Sequence, residues 1–171
     1  MKAHSTDALL ELSVHGRVTK LQDVLKLYST IHYRANDNTK KQSEEDIIFN
    51  FTNFIESLYH SEDINPVEVS DVEAENEKAS QVETRTLSIE DFICFCTGSK
   101  YITPSIMTTG TIEFKHLSQE ELQSKSGMRV MANTCNITLT FPVTDRYTSG
   151  SELFVNNLID DIYNSPGFGK G

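Results

Sequence analysis

The stretch SEDINPVEVSDVEAENEKASQVETR, residues 61–85, constrains this chain more than any other feature. It carries eight acids (Glu62, Asp63, Glu68, Asp71, Glu73, Glu75, Glu77, Glu83) against two bases (Lys78, Arg85), and no aromatic residue. Such a segment has too little apolar surface to offset the entropy of ordering it. The expectation is a solvated, flexible acidic linker over 61–86; an acidic docking strip is the functional alternative. The linker divides the chain into a helical N-terminal segment, 1–60, and a domain over 87–171.

At 171 residues the chain has the length of one domain, or of one domain with an extension. Fifteen basic and 25 acidic residues give a formal net charge of −10, which argues against a nucleic-acid binder. No apolar run approaches the ~18–20 residues of a membrane span. The opening MKAHSTDALLELSVHGR has no apolar core of a secretory signal. Three cysteines without framework spacing suit a reduced compartment, so the expected location is the cytoplasm, the nucleus or both. The glycosylation sequons at Asn50 and Asn136 are then expected to be idle.

The N-terminal segment reads as helices. Ala8, Leu9, Leu10, Leu12 and Val14 precede a stop at Gly16. Over 17–32, Leu21, Val24, Leu25 and Tyr28 fall at i, i+3, i+4, i+7. After a polar loop at 34–41, Ser43 and Asp46 have capping-box spacing. Ile47, Ile48, Phe51, Phe54, Ile55 and Leu58 then form a wide apolar stripe, which predicts a helix over 44–59. Three such helices make a small core and are expected to lean on something else.

The C-terminal piece mixes two periods. Ser88 and Asp91 repeat the capping-box spacing before Ile89, Phe92, Ile93 and Cys96, and Gly98 is placed as a stop. Ile112 and Phe114 alternate within 111–116, and residues 135, 137, 139 and 141 share a face of a second strand that Pro142 ends. Ser149 and Glu152 open a last helix lined by Leu153, Phe154, Leu158, Ile159 and Ile162, closed by Pro166 and Gly167. The expected fold is α/β of the α+β type: a small sheet flanked by helices, preceded by the helical segment and the acidic linker.

Familiar catalytic and phosphate-binding motifs are missing. Cys94 and Cys96, two apart on a helix, point to different faces and read as packing residues. His4, His15, His32, His60 and His116 have no ligand spacing. Cys135 stands apart, because it follows the irregular SKSGMRVMANT at the junction with a strand. A thiol there suits a nucleophile that meets a large partner, accepting an acyl group as a thioester and passing it to an amine. Thr134 offers a hydroxyl to the sulfur or to an acyl oxygen. The competing reading is a buried strand cysteine in phase with Ile137 and Leu139.

Read as a unit, residues 87–171 resemble the C-terminal lobe of HECT-type ubiquitin ligases. Leu87–Ser99 looks like the family's opening helix, and Tyr101-Ile102-Thr103-Pro104 like the turn after it. Thr111–Phe114 resembles the first strand, and Ala132-Asn133-Thr134-Cys135-Asn136-Ile137-Thr138-Leu139-Thr140-Phe141-Pro142 is similar to the family's "A-x-T-C-x-x-x-L-x-L-P". The ending Gly167-Phe168-Gly169-Lys170-Gly171 resembles its "G-F-G" tail, with Phe168 fourth from the end. The helices of 6–59 and the acidic stretch look like the variable segment ahead of this lobe in some animal HECT-like proteins. Thr103 departs from a common proline, and Ser124–Met131 from the usual "L-P-x".

The resemblance implies that Cys135 carries a ubiquitin thioester, that Thr134 and Asn133 orient the reacting groups, and that Phe168 anchors the tail for ligation. It implies ubiquitin, a ubiquitin-conjugating enzyme and a protein substrate as partners. It implies no metal or organic cofactor, no nucleic acid and no membrane. The family's N-terminal lobe, which binds the conjugating enzyme, is longer than this chain can hold. A non-catalytic ubiquitin- or partner-binding module that keeps the fold is therefore the alternative, and an acidic scaffold with a buried Cys135 a third.

Overall fold

The computed structural model describes residues 20–60, 86–103 and 110–166. The linker residues 61–85, the proposed helix over 6–14 and the tail with Phe168 lie outside the described residues. Within them the chain is an α+β structure of six helices and a mixed four-stranded sheet. In chain order the elements are α1 (Leu21–Leu27), β1 (Thr30–His32), α2 (Asn38–His60), α3 (Ile89–Thr97), β2 (Thr111–Lys115), α4 (Gln119–Ser124), β3 (Met131–Asn133), β4 (Thr138–Pro142), α5 (Asp145–Thr148) and α6 (Ser151–Tyr163).

The sheet order is β1-β2-β4-β3. β1 and β4 both run parallel to β2, in registers that pair Thr30 with Thr111 and Thr111 with Thr138. β3 returns antiparallel on β4, with Ala132 opposite Leu139. Ile112, Phe114, Leu139 and Phe141 point into the core, as their alternation requires. Phe51 and Phe54 of α2 meet Phe92 of α3, and Phe51 also meets Phe141 of β4. Phe54 further meets Phe154 of α6. Residues before position 61 and after position 85 thus share one sheet and one apolar cluster. Burying each of these rings contributes about 1.5–3 kcal/mol.

The expected helix over 17–32 is shorter than its pattern. It ends at Leu27, and Thr30–His32 becomes a strand. Three residues show no period of their own; parallel pairing with β2 imposes their conformation. Gly110, just ahead of β2, is required here: a Cβ would lie 2.4 Å from the Leu27 carbonyl oxygen. The main N-terminal helix begins at Asn38, earlier than the stripe predicts, because the Asp37 carboxylate accepts the N–H groups of Thr39 and Lys40. Ser43 lies inside this helix, its hydroxyl donating to the Thr39 carbonyl.

α3 follows the expectation closely. Ser88 Oγ accepts the Asp91 N–H at 3.1 Å, and Gly98 closes the helix at φ 73° while donating to the Cys94 carbonyl. α6 is capped by Gly150 instead of Ser149, and Leu153 faces solvent while Phe154, Leu158, Ile159 and Ile162 are buried.

Among the described residues, three polar side chains are buried with partners that tie elements together. Glu44 accepts the N–H groups of Arg34 and Ala35. Asn50 Nδ2 donates to the Tyr147 carbonyl at 3.0 Å, joining α2 to α5. Asp161 accepts from Tyr147 Oη, the Val130 N–H and Arg146 Nη2. Among the described residues no helix is long and apolar enough to cross a membrane.

Candidate functional site

Cys135 does not begin a strand. Pairing of Asn133 with Thr138 leaves residues 134–137 as the four-residue connection of the β3–β4 hairpin. Two devices shape this turn. Asn133 Oδ1 accepts the Cys135 N–H at 3.1 Å, the local bond by which asparagine organises turns. Ile137 takes φ 53°, in the left-handed region, where a β-branched residue is an outlier. This costs about 1–2 kcal/mol. The strain is held from two sides: the Ile137 side chain is buried, and its carbonyl accepts the Thr111 N–H at 3.1 Å.

That backbone reversal explains the failed alternation. In a continuous strand, Cys135 and Ile137 would share a face. With Ile137 left-handed, its side chain enters the core while Cys135 is exposed. The buried-cysteine reading is thereby excluded.

The three thiols are free and differ in access. Cys135 is exposed and Cys94 half-buried. Cys96 is fully buried, and that burial pushes its thiol up to about 12, so it stays protonated and out of reach.

A groove of about 580 Å³ runs between α3 and β3, with Phe95, Gly98, Met131, Ala132, Thr134 and Pro166 among its walls. The left-handed cap of α3 lies against the cysteine turn, since a Cβ on Gly98 would stand 3.8 Å from Thr134 Cβ. Thr134 is therefore both a neighbour of Cys135 in sequence and a wall of the groove. Asn133 is brought to the site through its bond to the Cys135 amide.

Among the described residues, the histidines do not join this turn. His116 meets Glu44, His32 meets Glu113, and His60 stands edge-on to Tyr59. Among the described residues no side chain hydrogen-bonds the Cys135 sulfur, and no group of three or more His, Cys, Asp or Glu residues is arranged to hold a metal ion. The site offers an exposed thiol on a constrained turn beside an open groove. Acyl exchange between thiols suits such a site, because cysteine depends least of the protein nucleophiles on an adjacent base. Position in the sequence singled out Cys135 and Thr134, and the family resemblance added Asn133. Neither marked Ile137, whose role comes from a backbone angle without a residue signature.

No protein-family model, curated protein or solved structure matches this chain.

Proposed function

We propose that residues 87–171 act as a ubiquitin-accepting lobe of the HECT type, with Cys135 as the thioester nucleophile. The Cys135 thiolate attacks the carbonyl carbon of ubiquitin's carboxyl terminus, held as a thioester on a conjugating enzyme. The enzyme's own thiolate leaves, and the acyl group now rests on Cys135. A substrate lysine, as its neutral amine, then attacks the same carbon. An isopeptide bond forms, Cys135 departs as thiolate, and the amine's proton passes to solvent. Thr134 and Asn133 keep the turn and the acyl group oriented, and Phe168 holds the tail for the second step. The setting proposed is the cytoplasm or nucleus, with no metal or organic cofactor.

One observation carries this reading: a free thiol, exposed at the tip of a hairpin, with its backbone pinned by Asn133 on one side and by Ile137 on the other. The mixed α+β architecture is of the class that the HECT-type resemblance implies.

The test combines the chain with activating enzyme, a panel of conjugating enzymes, ubiquitin and ATP, and resolves the products on a non-reducing gel. A thiol-sensitive ubiquitin adduct that disappears in Cys135→Ala is expected. Absence of an adduct with every conjugating enzyme rejects the catalytic reading. A ubiquitin titration would then decide whether the fold serves as a binding module.

A further inference from the structure

The β3–β4 hairpin presents Cys135 at one end, and the other end of β3 is fastened by a buried carboxylate. Asp161, on α6, is 1% exposed. Its Oδ2 accepts the backbone N–H of Val130 at 2.9 Å and also the hydroxyl of Tyr147. Its Oδ1 accepts Arg146 Nη2 at 3.0 Å, with Arg129 Nε at 3.8 Å. The Val130 N–H is shared with Tyr147 Oη at 3.1 Å. Val130 is the residue immediately before β3.

β3 is a short lever. Among the described residues it is three residues long, lies at the sheet edge, and pairs with β4 alone. An edge strand of this length has little pairing of its own to set its position. Where Val130 sits therefore governs where Asn133 sits, two residues short of Cys135, and Asn133 holds the Cys135 amide. A continuous path leads from Asn50 on α2, through Tyr147 and Asp161, to Val130 and the cysteine turn.

We infer that Asp161 is a positioning residue for Cys135, acting through the Val130 amide and the β3 lever. This rests on the thioester reading for its catalytic consequence, though the fastening itself does not. A buried, charge-assisted bond to a backbone N–H is among the stronger local restraints available to an edge strand. Removing the carboxylate charge while keeping the side chain's shape should loosen the turn and leave the parallel part of the sheet as it is.

The test uses the full chain with Asp161→Asn and, as a milder change, Tyr147→Phe. The second keeps the ring and removes the hydroxyl shared by Asp161 and Val130. Amide exchange by NMR is expected to quicken roughly tenfold at Val130 and Cys135, the change that follows from losing one hydrogen bond to a charged group. Ile112 and Phe114 in β2 should exchange as before. In steady-state transfer from a loaded conjugating enzyme, kcat should fall roughly tenfold with KM unchanged.

Three results would overturn the inference: equal quickening in β2 and the turn, which marks a general loss of stability; quickening at Val130 without any at Cys135; or a loosened turn with kcat intact. A wild-type chain that takes no ubiquitin sinks the thioester reading instead, and the exchange pattern then decides the fastening role alone. Should Asp161→Asn fail to fold, Tyr147→Phe carries the comparison with a smaller expected quickening, since Val130 keeps its bond to Asp161 and loses only the shared hydroxyl.

Discussion

Glu44 on α2 and His116, the first residue past β2, meet with Oε1 and Nε2 2.7 Å apart across 72 residues of sequence. The carboxylate is fully buried and also holds the Arg34 and Ala35 amides. It thereby secures the segment joining β1 to α2 against the end of β2. Glu44→Ala would strand those donors, at a cost of about 1–3 kcal/mol for each one that water does not reach. His116→Ala leaves the two amides satisfied and should cost only about 1–2 kcal/mol. Urea melts of the two variants give the comparison. Equal losses would mean that the backbone amides contribute little to what Glu44 does.

The three cysteines should separate cleanly in ubiquitin transfer. Cys135→Ser is expected to trap a more stable oxyester or to abolish loading. Cys94→Ser and Cys96→Ser should leave transfer intact, although replacing the buried Cys96 thiol by a hydroxyl will lower stability by about 1–3 kcal/mol. Phe168→Ala should permit the thioester and impair the step to lysine. Gel assays run with and without reductant resolve the two steps. Dependence on Cys94 or Cys96 as strong as that on Cys135 would refute the assignment.

Ile137 permits a test of backbone strain that is independent of function. Elsewhere in a strand or helix, alanine is more stable than glycine by roughly 0.5–1 kcal/mol. At φ 53° the order should invert. Both Ile137→Gly and Ile137→Ala lose the buried side chain, and only alanine retains a Cβ in the left-handed region. Ile137→Gly is expected to be the more stable by about 1 kcal/mol. Thermal melts of the pair report it directly, and the opposite order would show that the turn relaxes once the isoleucine is gone.

Acid should weaken α4 through one side chain. Glu121 receives the Lys115 ammonium at 2.7 Å and the Ser118 N–H, and these hold its carboxyl down at about 2, from an ordinary 4.5. Between those values the folded chain binds fewer protons at this position than the unfolded chain. The contribution is therefore complete above pH 4.5 and is lost as pH falls toward 2. Asp161 works in the other direction. Burial raises its carboxyl above the ordinary 3.8, so ionising it within the fold lowers global stability as pH rises through the shifted value, even though the ionised form is the one that grips the Val130 N–H locally. Comparing wild type with Glu121→Gln isolates the first effect. The variant should show a smaller acid-induced loss of NMR dispersion over residues 118–124, and salt should narrow the difference, since Glu121 is open to solvent.

The parts of the fold that were legible in the sequence are those with several turns or a full cap. α3 was bounded at both ends by Ser88 and Gly98, α2 by the stripe from Ile47 to Leu58, and α6 by Phe154 to Ile162. β2 and β4 showed in the alternation of Ile112 with Phe114 and of Leu139 with Phe141. The short elements left no such trace. β1 is strand because β2 lies beside it, and Met131 and Asn133 of β3 are exposed, so no apolar period marks them. At the site, the position of Cys135 and Thr134 singled them out as candidates, and the HECT-type resemblance added Asn133. The turn that presents them depends on a left-handed isoleucine that a period-2 pattern reads as strand.

β1 also bears on how the chain reaches this fold. Its parallel pairing sets Thr30 beside Thr111 and His32 beside Glu113, partners 81 positions apart. A contact of that span closes late, because the entropy of bringing its ends together must be met before any bond forms. Once the span is long, however, added length matters little: each doubling costs only about 0.6 kcal/mol. The distance between α2 and α3 along the chain is thus nearly free to drift. A chain begun at residue 87 is a different matter, for it would lose the aromatic floor supplied by Phe51 and Phe54. It would also leave the edge of β2 bare, open to pairing with another molecule.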